Sequence, residues 1–405
     1  MLTRDADIRD LFLELVAIPS PSGRELVLAE QIAAWLNDAG VSTRFDGSGP
    51  ENGSDAGNLI ATVPGAPGRP TLLFVAHMDT VETGAEAVRP IVGDDGVIRS
   101  AGDTILGADN KSAVAAVMRT CLAAQRLPDA RRPTVVAAFT SREESGRMGA
   151  SLLDPPSLAI DCAFCIDGSE PIGTVITRAL GQTTFVAAIH GRAAHAAANP
   201  EAGVDAVATA CQAVAGLSLG RQPGGGSASV AAIVGGSVIG RLDGAPASSS
   251  VREALAAAPT NSVPELVYVR GEVRGYTGRE IEDTAQTIQE TFQRVCDARG
   301  ATLEWTRDRG RMVPPLPGAA DSRALALVRA AIDGVDGVAL QLQEARASLE
   351  ANYLAAGVDV AAVASGGRGA HQTGESIAVA ELRQLETLLT RIVQLAAAGS
   401  AGFSG

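Results

Sequence analysis

The runs LLFVAHMD, VVAAFTSREE and CAFCIDG share one feature: an apolar stretch with no polar face that stops at ionisable side chains. A strand that is apolar on both faces has to be covered on both, so it belongs in the middle of a sheet flanked by helices. Residues 58–63, 71–76 and 134–140 read as such strands, and between the last two the Ala-rich stretch 112–126 has helical spacing. Residues 7–18 and 25–39 show the same 3.6-residue spacing, with Gly40 placed to end the second helix. Strands alternating with helices predict an α/β fold, a mostly parallel central sheet with helices on both sides.

The pattern changes near Gly181. From there the chain predicts a strand over 183–190, a helix over 204–217, strands over 227–234 and 265–274, a helix over 280–299 and a strand over 302–307. That order, β-α-β-β-α-β, is a self-contained α+β unit with four strands. After Pro314-Pro315 the alternation resumes, with helices at 319–334 and 348–356, a strand at 358–364 and a final helix at 378–397. The simplest organisation is a domain built from residues 1–181 and 310–405, with 182–309 inserted as a second domain. The Ala- and Ser-rich segment 240–260 reads as a long mobile loop, and 398–405 as a frayed tail.

A chain of 405 residues exceeds one ordinary core, in keeping with two domains. Its formal net charge of −13 argues against nucleic acid or an anionic membrane as the main partner, since both attract positive surfaces. No uninterrupted apolar run reaches membrane-spanning length, and the first residues lack the basic-then-apolar order of a signal peptide. The expected location is the cytoplasm. Five scattered cysteines fit reduced thiols, and Cys162 and Cys165 fall at odd spacing on one strand, facing opposite ways.

The chemistry lies where the strands stop. His77 and Asp79 sit two apart as a strand ends and so point to one side, where the carboxylate can accept the second ring N–H of a metal-bound imidazole. Asp109 precedes a helix, Glu143 and Glu144 follow VVAAFT, Asp167 follows CAFCI, and His371 follows the glycine-rich SGGRGA, with Glu375 four residues on. In an open parallel sheet, ligands gather at the carboxyl ends of strands. Two imidazoles and several carboxylates there suit zinc, with cobalt or manganese as alternatives. Five ligands exceed what one catalytic zinc needs, and two metals sharing a carboxylate account for them all. One of the paired glutamates can then bind metal while the other serves as a base.

HMDTV, GDTILGADNKSA, FTSREESGRMGA, CIDG, HGRAAHAAANPEAGVDA, TNSVPELVYVRGEVR and AHQTGES follow one another in this order. Together they resemble the dinuclear zinc exopeptidases and amidohydrolases, the family of peptidase T, carnosinase, succinyl-diaminopimelate desuccinylase and the aminoacylases. The peptidase T-like branch is nearest. The resemblance implies two Zn2+ per subunit bridged by Asp109, with His77 and Asp167 on one and Glu144 and His371 on the other. It makes Glu143 the general base, Asp79 the partner of His77, and the peptide bond after Asp109 cis. In the insert, which resembles the family's lid, it makes His195 the residue that polarises the scissile carbonyl and Asn261 and Arg274 substrate contacts. It further implies a homodimer paired through the lids, each His195 serving the other subunit. Asn110, the stretch Arg346 to Asn352 and the 240–260 insertion depart from the pattern, and the last two bear on specificity.

The expected activity is metal-dependent hydrolysis of short peptides, by an aminopeptidase of tripeptidase or dipeptidase type. In the family, Asp at the position of Asp167 accompanies aminopeptidases and dipeptidases. Deacylation of an N-acyl amino acid is the alternative with the same machinery, and a metal-binding scaffold without catalysis is the alternative outside enzymes.

Overall fold

A computed structural model describes residues 7–82, 87–236, 251–258, 260–307, 312–318 and 322–399. The chain divides into two compact units, one drawn from residues 1–178, 316–345 and 349–405, the other from 179–315 and 346–348.

The first unit is organised on an eight-stranded sheet in the order Ser42–Phe45, Leu59–Val63, Thr134–Thr140, Thr71–His77, Cys162–Ile166, Asp359–Val363, Thr174–Ala179, Gln341–Ala345. The four strands from Thr134–Thr140 to Asp359–Val363 run parallel, while Leu59–Val63 and Thr174–Ala179 flank them antiparallel. The parallel strands are the apolar ones, as burial on both faces requires. One face carries Leu72, Phe74, Ala76, Phe139, Phe164 and Ile166, packed with the helices Ile8–Val16, Ala108–Gln125 and Val379–Ala397. Phe74 and Phe164 stack there at 5.1 Å between ring centres. A separate three-stranded sheet joins Ser376–Ala378 to the hairpin Pro90–Val92 and Val97–Ser100.

The second unit is an antiparallel sheet in the order Gly220–Arg221, Ser227–Gly235, Leu266–Gly275, Gly181–His190, Thr302–Arg307. The helices Ala206–Ala215 and Gly278–Arg299 cover one face, and Phe185 stacks on Trp305 at 4.7 Å in its core. Gly278–Arg299 opens with a capping box, Thr277 and Glu280 each bonding the other's backbone N–H.

Several elements differ from the sequence reading. The helix expected over 348–356 is a single turn, Ala351–Leu354, because residues 346–348 belong to the second unit, where the Ser348 hydroxyl donates to Leu180 O at 2.8 Å. Thr174–Ala179 and Gln341–Ala345 were not foreseen as strands. The expected four-stranded insert gains a two-residue strand, Gly220–Arg221. Of the segment expected to be a loop over 240–260, Val251–Ala257 is helical, and residues 240–250 and 259 lie outside the described residues. The tail from residue 400 lies outside them too.

Candidate metal centre

Three of the parallel strands, Thr134–Thr140, Thr71–His77 and Cys162–Ile166, end beside ionisable side chains at the same end of the sheet. His77 is the last residue of Thr71–His77 and is 1% exposed. Its Nδ1 lies 2.9 Å from Asp79 O and 3.4 Å from Asp79 Oδ1, which leaves Nε2 facing Asp109 Oδ1 at 3.1 Å and Asp167 Oδ1 at 3.8 Å. Asp109 lies at the start of Ala108–Gln125 with a non-helical backbone (φ −80°, ψ 102°), and the Asp109–Asn110 peptide is cis, as expected. Its other oxygen, Oδ2, is 3.4 Å from His371 Nε2, which in turn lies 2.8 Å from Glu144 Oε1.

The two glutamates are set by a turn whose geometry follows from its neighbours. Arg142 adopts a left-handed φ of 56° and donates its N–H to the buried Glu25 at 3.0 Å. The backbone N–H groups of Glu143 and Glu144 both donate to Asp79, at 2.9 and 3.1 Å. Asp79 is fully buried, so one carboxylate fixes the His77 ring and the backbone that carries both glutamates. The turn closes on Gly149, where a Cβ would lie 2.4 Å from Asn58 Oδ1 and 2.5 Å from Ser141 O. That close approach is the physical content of the GxxGA spacing after the glutamates.

Electrostatics follow from crowded acids near two imidazoles. Burial and neighbouring acids push Glu143 well above the usual carboxylate range, and burial takes Glu144 to about 7. Burial also opposes ionisation of Asp109, yet hydrogen bonds from His371 and His77 hold it well below the usual range. Asp109 and Glu144 raise His371 to about 9. A cavity of about 500 Å³ is lined by His77, Asp109, Glu143, Glu144, Asp167, His371 and Arg147 among others.

Among the described residues, three donor sets each have their ligand atoms within 4.8 Å of one another: His77, Asp109 and Asp167; Asp109, Glu144 and His371; and His77, Glu143 and Glu144. The first two share Asp109 and use a different oxygen of it for each imidazole. Residues 73–395 match peptidase family M20/M25/M40. The chain belongs to that family.

Relatives agree with this placement. A Bacillus subtilis protein described as uncharacterized, YqjE, is 28% identical over 95% of this chain and 97% of its own length. Peptidase T of Aliivibrio fischeri is 27% identical over 47% of this chain and 54% of its own length. Among solved structures, aminopeptidase PepT of Bacillus cereus superposes with a TM-score of 0.82 at 27% identity, covering 98% of this chain and 99% of that one. A tripeptidase of Staphylococcus aureus gives 0.81 at 25% identity over 98% and 100%. Family membership carries peptide-bond hydrolysis by a metal-dependent peptidase.

The residues present fit the metals the family uses. Nε2 of His77 and Nε2 of His371 each face Asp109, and each set mixes nitrogen with carboxylate oxygen, a zinc-type donor set. With Nδ1 directed at Asp79, His77 has its metal-facing nitrogen defined, as a carboxylate behind a histidine ligand does.

Sequence reasoning gave no role to three residues here. Arg147 lines the cavity with Nη1 3.6 Å from Glu143 Oε1. Glu350, in the unusual 346–352 stretch, is fully buried, and neither of its oxygens reaches a hydrogen-bond partner among the described residues. Burial lifts its carboxyl to about 7, while the nearby Thr140 hydroxyl, itself without a bond at hydrogen-bond distance, favours the charged form. Glu375 accepts three backbone N–H groups around Asp109. Among the three, Glu375 had a sequence signal, its fixed spacing from His371.

Within the second unit, His195 and Asn261 are brought together: His195 bridges Ser262, and Asn261 O accepts the N–H of Ala196 at 2.9 Å. His195 Nδ1 accepts the N–H groups of Ala197 and Ala198 at 3.2 and 3.1 Å, so the neutral ring carries its proton on Nε2. Arg274 lies at the far end of Leu266–Gly275 and donates to Glu272 Oε1 at 2.5 Å.

Proposed function

We propose that this chain is a dinuclear metal-dependent aminopeptidase of the tripeptidase or dipeptidase type, active as a homodimer in the cytoplasm. The observation that carries the reading is the division of Asp109 between two donor sets, one with His77 and Asp167 and one with Glu144 and His371. These five would hold two Zn2+, with Co2+ or Mn2+ as alternatives. Bound there, the metals would acidify water and polarise the scissile carbonyl.

Glu143 belongs only to the donor set that omits Asp109, which suits a base kept off the shared ligand. It takes the proton of the attacking water and passes it to the leaving amine. His195 donates from Nε2 to the developing oxyanion, a contact of a kind that contributes about 2.7–4 kcal/mol. Asn261 and Arg274 hold the substrate.

The second unit's own dimensions support the dimer. Arg274 and Leu266 are eight positions apart on one strand, about 27 Å at strand rise, and His195 lies beyond the Leu266 end. An extended tripeptide spans about 10 Å. One copy of this unit therefore cannot apply both Arg274 and His195 to one short substrate, whereas two copies can. Mixing inactive His195→Ala with inactive Glu143→Ala protein tests this. With His195 acting across the dimer, exchange should restore roughly a quarter of wild-type activity; a mixture that stays inactive rules it out.

The cytoplasmic assignment rests on five free cysteines, four of them buried. No helix among the described residues is long and apolar enough to cross a membrane. The domain assignment, a catalytic domain from residues 1–181 and 310–405 and a lid over 182–309, is part of the same reading. Hydrolysis of Ala-Ala-Ala and Ala-Ala against N-acetyl-alanine by the zinc-loaded protein tests the substrate class. Turnover confined to N-acetyl-alanine would replace the aminopeptidase with the deacylase.

A further inference from the structure

His371 is the most exposed of the five proposed ligands, its side chain 50% accessible, and it sits on a loop with little secondary structure of its own. Gly366, Gly367, Gly369 and His371 all take left-handed φ values there, between 64° and 87°. A segment of this kind has many conformations open to it, and holding one costs entropy. Yet His371 has to meet Asp109, which belongs to a different part of the chain.

Glu375 supplies the connection. Its carboxylate is 3% exposed and accepts Leu106 N–H at 2.8 Å, Gly107 N–H at 2.6 Å and Asp109 N–H at 2.8 Å. It stands four residues after His371 and directly before the strand Ser376–Ala378, which pairs with Val97–Ser100. The loop is closed at its base by Arg368 and Ser376, which exchange two backbone hydrogen bonds at 2.8 and 3.0 Å. One circuit results: Asp109 Oδ2 faces His371 Nε2, the chain runs from His371 to Glu375, and Glu375 holds the backbone of Asp109.

We propose that Glu375 is a positioning residue for the second metal, fixing the distance between His371 and the bridging Asp109. The inference rests on the two-metal reading above. The first set, His77, Asp109 and Asp167, has two ligands outside the circuit, whereas the second depends on it for His371 as well as Asp109. Loss of the Glu375 grip should therefore weaken the second metal far more than the first. An amide cannot replace it, because one of its ends is a donor facing backbone donors.

The test is stepwise titration of Co2+ into chelator-stripped protein, read by equilibrium dialysis and by visible absorbance, with no turnover measured. Wild type should take up two equivalents. Glu375→Gln should bind the first within about threefold of wild type and the second roughly 10–100-fold more weakly, the usual effect of removing a group that orients ligands. Glu375→Asp keeps both oxygens and should fall between the two. Ile377→Ala, at a buried position of the adjoining strand, loosens the same sheet without touching the three hydrogen bonds, and should leave the second affinity within threefold. Should the Gln protein fail to fold, Asp and Ile377→Ala decide: a second affinity in the Asp protein no weaker than in Ile377→Ala overturns the proposal. So does a Glu375→Gln protein with wild-type second affinity, or equal weakening of both metals. A wild type that binds fewer than two equivalents would instead remove the two-metal reading itself.

Discussion

Asp79→Asn is the substitution that most sharply separates a positioned site from a merely acidic one. Asp79 is fully buried and accepts Glu143 N–H at 2.9 Å and Glu144 N–H at 3.1 Å while facing His77 Nδ1 at 3.4 Å. Asn has nearly the same shape but only one accepting end. One backbone N–H then loses a charge-assisted bond, worth about 1.5–3 kcal/mol, and is left facing another donor in the interior. His77 Nδ1 keeps its contact with Asp79 O, so the ring is not released altogether. Allowing for partial relaxation, the expected loss is about 2–4 kcal/mol of folding free energy without metal. Metal affinity should fall roughly 10–100-fold, since both His77 and the glutamate turn lose their reference point. Urea unfolding of chelator-treated protein measures the first effect and equilibrium dialysis against Zn2+ the second. A change below about 0.5 kcal/mol, the range of ordinary surface substitutions, with unchanged metal affinity would refute the reasoning.

Gly149→Ala should cost about 1–3 kcal/mol, because a Cβ there would lie 2.4 Å from Asn58 Oδ1 and 2.5 Å from Ser141 O, and thermal unfolding beside wild type would show it. Of the five cysteines, only Cys211 is exposed, and burial pushes the Cys121 and Cys162 thiols up to about 12. An aromatic disulfide reagent at pH 8 should therefore label one thiol in the folded protein and five in denaturant; rapid labelling of two or more in the folded protein would contradict the described core.

The centre of the fold was legible because its strands are apolar on both faces, and a side chain at the end of such a strand has one place to go. His77, Glu143, Glu144 and Asp167 could be read in that way. Asp109 and His371 follow loops rather than strands, and their partnership came from residue type and from resemblance. The edges of the sheet were not legible. Gln341–Ala345 is nearly all exposed and carries no alternation to mark a strand. Thr174–Ala179 is separated by a single residue from Gly181–His190, and the reading that opened a strand at 183 placed none before it. The role of Glu375 was hidden for another reason. Its partners lie 266 to 269 residues away and are backbone groups, which leave no signature in residue type.

The central claim is that adjacent glutamates divide the work, Glu144 holding metal and Glu143 moving the proton. Elemental analysis of zinc-loaded Glu143→Ala and Glu144→Ala proteins, with turnover of Ala-Ala-Ala on the same samples, tests it most directly. The account predicts two zinc ions and almost no turnover for Glu143→Ala, and loss of zinc for Glu144→Ala. Equal metal loss in both, or a Glu143→Ala protein that still turns over at the wild-type rate, would contradict it.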